Sequence, residues 1–144
     1  VSVLQRLCGN NVDVTVGRAV YTGLFNERGG FESDVTVIRT ARDEYMIVSG
    51  STQTVRDFDW ITRNMSADAH AELVDVTGGF SIVGVMGPNS RALLSRVTDA
   101  DLSNDAFPFL HSHCIDVGPA VARLAAHPQR VHQVKVVVYL MPAL

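Results

Sequence analysis

This sequence has only two cysteines, no net positive charge and no long hydrophobic run. Each of these features excludes a class of protein. The two cysteines, Cys8 and Cys114, lie far apart among 144 residues, which favours buried, reduced thiols over a disulfide framework. A net charge of -3 argues against a protein that binds nucleic-acid phosphates. No apolar run reaches the roughly 18 residues of a membrane span. We therefore expect a globular protein of the cytoplasm, or of the mitochondrial matrix in a eukaryote.

The apolar residues that are present predict an α+β domain. Hydrophobic residues make up 47% of the chain, enough for one domain with its own core. Runs of β-branched and aromatic residues predict strands, with a hairpin loop at Asn26–Gly30 between two of them. Val55, Phe58 and Ile61 recur at helical spacing. The predicted strands include 12–16, 18–25, 31–39 and 45–49. An antiparallel sheet with a few packed helices follows from this pattern.

Asp34 lies in the middle of a strand that otherwise suits a buried position. Side chains alternate along a strand, so one face carries Glu32, Asp34, Thr36 and Ile38. The other face carries Phe31, Ser33, Val35 and Val37, and we expect it to pack on the core. Asp34 then points to solvent or into a ligand pocket, and the pattern alone favours solvent because antiparallel sheets commonly have one wet face. On that interpretation Tyr21 is a half-buried residue of the partner strand.

Other candidate chemistry is weak. His111, His113 and Cys114 are ligand types for a metal, but they lack the spacing of a structural zinc site, so no metal site is predicted. A GxSxG nucleophile elbow and a GxGxxG or Walker phosphate loop are both missing from the sequence. The residues alone therefore indicate an α+β domain with one unexplained acid.

Four longer blocks carry a resemblance to a known family: LQRLCGNNVDVTVG, YTGLFNERGGFESDVTVIR, YMIVSGSTQTVRDFDWI and DVTGGFSIVGVMGPNSRALLSRVTDADLSNDAFPF. Their order and spacing resemble the folate-binding domain of the glycine-cleavage aminomethyltransferase (T-protein). FAD-dependent sarcosine and dimethylglycine dehydrogenases share that domain, and the sequence of this chain resembles theirs more closely. The resemblance predicts the aminomethyltransferase folate-binding fold over 1–117 and an atypical tail over 118–144.

The resemblance implies a tetrahydrofolate site and one-carbon transfer. In it, Tyr21 and Val48 contact the pterin, and Asp34 stabilises a cationic intermediate and takes up a proton from the attacking folate nitrogen. T-proteins often have two adjacent acids here, whereas this chain has Ser33 in the first place. The asparagine that T-proteins carry two residues after the pocket valine is Gly50. The implied partners are folate and a methylated amine or aminomethyl donor, with no nucleic acid and no membrane.

Two departures from the family limit the implied activity. The expected Tyr-x-Gly-Glu-x-Gly-x-Glu block is missing, since no glycine follows Gly118 and no glutamate follows Glu72. The flavin-binding half is also absent, so FAD would act only through an upstream domain. We therefore expect a fragment that binds tetrahydrofolate weakly or not at all. A non-catalytic folate-fold module and a domain stabilised by a partner chain, such as a homo-oligomer, remain as alternatives.

Overall fold

The computed structural model describes residues 1–127 and 135–140, and it divides the chain into two units, Val1–Asp75 and Val76–Leu144. Each unit combines an antiparallel sheet with short helices, which confirms the predicted α+β class. Within the described ranges, no helix has both the length and the apolar character that crossing a bilayer requires.

Unit 1 is a three-stranded antiparallel sheet with two helices. Its elements are α1 (Ser2–Leu7), β1 (Ala19–Phe25), β2 (Phe31–Ala41), β3 (Glu44–Val48) and α2 (Thr54–Asn64). The strand order is β1-β2-β3, so the predicted hairpins form as consecutive neighbours. Leu24, Val35 and Val37 on one face of the sheet pack with Leu7 of α1 and Ile61 of α2. This face is the core of unit 1.

The predicted strand over 12–16 is wrong. The Val12 N–H donates to Oε1 of Gln5 at 3.0 Å, and the carbonyl of Val14 accepts from Nη1 of Arg39 at 2.7 Å. The carbonyl of Thr15 accepts from the N–H of Arg18 at 3.0 Å in a local turn. Side chains and this turn, not a neighbouring strand, therefore bind the backbone of the segment. Val12 is nevertheless fully buried in the core of unit 1. The alternation of apolar residues over 12–16 therefore reflects the burial of Val12 and not pairing with a neighbouring strand.

Asn26 organises the loop between β1 and β2. Its Oδ1 accepts from the N–H groups of Arg28 and Gly30, at 3.0 and 2.9 Å, while its Nδ2 donates to Oε1 of Glu32 at 2.7 Å. Gly29 has φ of 74°, in the left-handed region that favours glycine. The hairpin predicted over Asn26–Gly30 is confirmed.

Unit 2 contains a four-stranded antiparallel sheet of order β4-β7-β6-β5. Its elements are a 3₁₀ turn (Thr77–Gly79), β4 (Ser81–Met86), α3 (Ser90–Leu94), β5 (Ser112–Val117), β6 (Ala120–His127) and β7 (Lys135–Leu140). The core cluster of this unit is Leu94, Leu102, Phe107, Ala122 and Leu124. Of the predicted tail 118–144, the segments 128–134 and 141–144 lie outside the described residues.

The two cysteines differ in exposure. Cys8 is buried in the core of unit 1, as predicted, and burial raises the pKa of its thiol to about 11. Cys114 is exposed, so its predicted burial is wrong. The reason is its register in β5, where Ile115 and Val117 pack against the core cluster and Cys114, adjacent to Ile115 in the alternation, faces the other way.

Candidate functional site

The three predicted site residues lie on one face of the unit 1 sheet. Tyr21 of β1 and Val48 of β3 are both direct cross-strand partners of Thr36, which lies between them on β2. Asp34 is two residues from Thr36 on the same strand and therefore points to the same side. This side is opposite the core face that carries Val35 and Val37. Thr36 and Ile38 on this side are nevertheless buried, with exposures of 4% and 0%, so the predicted alternation of buried and exposed residues holds only from Ser33 to Val35.

Tyr21 and Asp34 are joined by a direct hydrogen bond. The Tyr21 hydroxyl donates to Oδ2 of Asp34 at 2.7 Å. This hydrogen bond is the main reason that the pKa of Tyr21 lies above its ordinary value, with desolvation and the negative charge of Asp34 adding to it. The Tyr21 side chain is 48% exposed and Asp34 is half-buried. The pair combines a reachable aromatic ring with a fixed carboxylate.

Asp34 keeps acceptor capacity beyond its bond to Tyr21. Within residues 1–127 and 135–140, its second oxygen, Oδ1, has no hydrogen-bond partner. A carboxylate accepts at both oxygens, so Oδ1 can take an N–H donor or a proton from a bound molecule. The hydrogen bond from Tyr21 thus orients the Asp34 carboxylate and leaves Oδ1 able to accept a further hydrogen bond.

Sequence reasoning missed two phenylalanines on this face. The β1–β2 register shifts between Leu24 and Phe25, so that Leu24 lies opposite Ser33 while Phe25 lies opposite Phe31. Glu32 is the extra residue of this β-bulge, and it turns Phe31 away from the core face. The predicted packing of Phe31 on the core is therefore wrong, and its side chain is 63% exposed.

Ser33 points into unit 1, away from Asp34. Its hydroxyl donates to Oδ2 of Asp57 at 2.9 Å, and both side chains are buried. Asp57 also forms an ion pair of 3.7 Å with Arg56, whose guanidinium in turn donates to the carbonyl of Glu32. Sequence reasoning missed Asp57, although its position four residues before Ile61 marks it as part of the inner face of α2. Ser33 and Asp34 therefore have separate environments.

Val48 and Gly50 close the site at the end of β3. Val48 is half-buried at the last position of that strand. Two residues on, the carbonyl of Gly50 accepts from the N–H of Gln53, which forms the turn into α2. Gly50 offers no side-chain group where T-proteins are expected to carry an amide. Val48 can contribute only apolar contact.

His111 and His113 belong to unit 2. The rings of His111 and His113 have centroids 6.5 Å apart, and His113 packs edge-on against Phe107 at 5.3 Å. Across the described part of the chain, no group of three or more His, Cys, Asp or Glu side chains is arranged to hold a metal ion. Unit 2 also has an open cavity of about 720 Å³, which Arg96, Asp99 and Cys114 help to line.

Comparison with known proteins places these features in a family. A family profile described as the GCVT N-terminal domain matches residues 1–127. The chain is 33% identical over 117 residues to the mitochondrial pyruvate dehydrogenase phosphatase regulatory subunit of Mus musculus. It is 31% identical over 107 residues to the aminomethyltransferase of Listeria monocytogenes, and 36% identical over 107 residues to the mitochondrial sarcosine dehydrogenase of Homo sapiens. These alignments cover 81%, 74% and 65% of the chain, but only 13%, 29% and 12% of the relatives.

Proposed function

Because the chain belongs to the GCVT N-terminal domain family, we propose that it is the folate-binding part of an enzyme of tetrahydrofolate-dependent one-carbon transfer. The observation that carries the proposal is the hydrogen bond of 2.7 Å between Tyr21 and Asp34, on the sheet face that also holds Val48. Relatives named aminomethyltransferase and sarcosine dehydrogenase support the same reaction class. Since the chain spans less than a third of their length, the activity of the whole protein is part of the proposal.

The residues of this face fit a reduced pterin. The half-exposed ring of Tyr21 offers a flat apolar surface, on which aromatic rings stack or meet edge-on. The available Oδ1 of Asp34 matches the N–H donors along the edge of a pterin. Val48 adds an apolar contact, and the lack of a side chain at Gly50 removes one polar contact. Tetrahydrofolate, when bound, supplies the nucleophilic nitrogen that accepts the one-carbon unit.

Asp34 would act on charge and on a proton. Its carboxylate stabilises positive charge that develops beside it, and it takes up the proton that the attacking nitrogen sheds. Because Oδ2 already accepts the Tyr21 hydroxyl, we assign the proton to Oδ1. Tyr21 holds the carboxylate in one rotamer, so that Oδ1 keeps a fixed direction. Oxidation of an N-methyl amine would require FAD on a separate domain, and this chain would supply the folate half of the sequence of steps.

Two further parts of the proposal concern extent and location. We take the folate-binding segment to be 1–117, with 118–144 as an atypical continuation, and this boundary stays a prediction. Two relatives are named mitochondrial proteins, which supports the matrix as an alternative to the cytoplasm. The donor is proposed to be a small methylated amine or an aminomethyl group.

A non-catalytic module is the second candidate function. One relative, at 33% identity, is named a regulatory subunit of a phosphatase, and that name implies no one-carbon chemistry. The glycine at position 50 also favours a pocket that binds without catalysis, because it offers a ligand no side-chain group. In this case Asp34 would serve binding or structure only.

Asp34→Asn separates the two functions. In the intact protein, we expect the variant to bind tetrahydrofolate within about threefold of wild type while one-carbon transfer falls at least about 100-fold, the lower range for loss of an acid–base group. Binding is measured by calorimetry under reducing conditions, and transfer by formation of the methylene adduct. Asp43→Asn is the matched control, because that carboxylate is almost fully exposed next to Arg42. Tetrahydrofolate binding without measurable transfer in wild type would support the module instead, and unchanged transfer in Asp34→Asn would remove Asp34 from the chemistry.

A further inference from the structure

Phe25 and Phe31 form an exposed aromatic pair beside Asp34. Their ring centroids are 5.9 Å apart with an interplanar angle of 76°, an edge-to-face contact. They are 39% and 63% exposed, which is unusual for two adjacent aromatic residues unless they have a partner to contact. The bulge at Glu32 brings Phe31 to this side of the sheet.

Two glycines fix where the pair lies. Gly23 is the direct cross-strand partner of Asp34, so a side chain there would stand beside the carboxylate. A Cβ at Gly23 would come within 2.7 and 2.9 Å of Phe25 ring carbons and within 3.2 Å of Phe31 Cε2. A Cβ at Gly9 would come within 2.6 Å of Phe25. The Phe25 ring therefore occupies the space that a side chain at Gly9 or Gly23 would need. It packs edge-to-face against the Phe31 ring.

The two aromatic groups flank Asp34 on opposite sides. Tyr21 lies two residues before Gly23 on β1, and Phe25 lies two residues after it. Along this strand the order on the site face is therefore Tyr21, Gly23 opposite Asp34, and the Phe25–Phe31 pair. If one ring system of a ligand contacts both Tyr21 and Asp34, the two phenylalanines lie next to that ring system, on the side of the β1–β2 hairpin loop.

We propose that Phe31, supported by Phe25, is a further binding residue that contacts the aryl ring joined to the pteridine of a folate. The inference rests on the proposed function and deepens it, because it makes the ligand an aryl-bearing pteridine and not a bare one. Tyr21 and Asp34 take the pteridine, and Phe31 takes the p-aminobenzoyl ring by stacking or edge contact. The Phe31 ring and the p-aminobenzoyl ring are both flat and apolar, so their contact needs no charged group. Phe31 is a binding residue only and takes no part in proton transfer.

The test compares two ligands that differ in the aryl group. Tetrahydrofolate and 6-methyltetrahydropterin are titrated against the full chain, and saturation-transfer NMR detects binding in the millimolar range. We expect Phe31→Ala to weaken tetrahydrofolate binding roughly three- to tenfold, the range of one aromatic contact, and to leave 6-methyltetrahydropterin unchanged. Phe31→Tyr should keep wild-type affinity. Phe109→Ala is the matched control, a similarly exposed phenylalanine in unit 2.

Each outcome decides between the inference and the function on which it rests. If Phe31→Ala binds tetrahydrofolate as wild type does, or loses both ligands equally, the aryl contact is wrong while the folate site stands. If wild type shows no saturation transfer to tetrahydrofolate at millimolar concentration, the folate site itself is wrong. Circular dichroism checks the fold, and Phe31→Leu, which keeps the apolar bulk without the ring, replaces the alanine variant if that variant unfolds.

Discussion

The hydroxyl of Ser33 donates a hydrogen bond of 2.9 Å to Oδ2 of Asp57, and this bond joins β2 to α2 inside unit 1. Both side chains are buried, so loss of the donor leaves a carboxylate short of one partner. We expect Ser33→Ala to lower the free energy of unfolding by about 1–3 kcal/mol, the usual cost of an unsatisfied buried acceptor. Urea denaturation measures the change.

Thr40→Ala is the control for this prediction. Thr40 also donates from a hydroxyl to a carboxylate, Oε1 of Glu44 at 2.6 Å, but that bond is exposed. Water can replace the lost donor there, so we expect a loss below about 0.5 kcal/mol. Equal losses at Ser33 and Thr40 would show that burial does not strengthen the Ser33–Asp57 contact.

The Tyr21–Asp34 hydrogen bond predicts a shift in the titration of Tyr21. Because Asp34 raises the pKa of Tyr21, Asp34→Asn should move that pKa down toward the ordinary value of about 10. The ultraviolet absorbance of tyrosinate reports the titration, and subtraction of a Tyr21→Phe titration removes the signal of the other two tyrosines. Asp43→Asn should cause no shift.

The same bond gives a signed dependence of stability on pH. A raised pKa in the folded state means that the contribution of Tyr21 is complete below about pH 10 and is lost as pH rises through the folded pKa. The difference in unfolding free energy between wild type and Tyr21→Phe should therefore be constant from pH 7 to about 9 and shrink above it. A difference that grew with pH would contradict this assignment.

Local pattern was enough to predict the sheet of unit 1 and the direction of Asp34. Residues that alternate along β2 give the core face directly, and Ser33, Val35 and Val37 follow that prediction. Tyr21, Asp34 and Val48 share a face because antiparallel neighbours keep the same alternation. Their roles toward a ligand stay a prediction, because the geometry of a face does not identify what it binds.

The wrong and the missed predictions have a common physical cause. Each depends on strand register or on residues that are distant in sequence. Phe31 changes face because one extra residue in the hairpin shifts the register, and strict alternation contains no sign of it. The segment 12–16 has strand propensity but no adjacent strand, so side chains of Gln5 and Arg39 bind its backbone. Asp57 becomes visible as a partner of Ser33 only when α2 packs on the sheet.

Tyr45 offers a test in the opposite direction. Its hydroxyl is buried and makes no hydrogen bond with any residue in the described part of the chain, and its ring packs beside Arg39 at 5.5 Å. An unpaired buried hydroxyl is a cost, so Tyr45→Phe should leave the unfolding free energy unchanged or raise it by up to about 1 kcal/mol. Tyr21→Phe, which removes a hydroxyl that does donate, should not raise it. A clear loss of stability in Tyr45→Phe would reveal a partner for the hydroxyl.

The two thiols should react at very different rates. Burial raises the pKa of Cys8 to about 11, so at pH 8 about one molecule in a thousand carries the thiolate, and the core also shields it. Cys114 is exposed on β5. We expect a disulfide reagent to modify one thiol per folded chain at pH 8 and the second only after denaturation. Cys114→Ser should abolish the fast reaction and Cys8→Ser should retain it. Two fast thiols in the folded wild type would mean that α1 opens readily and exposes Cys8, because that cysteine directly follows the helix.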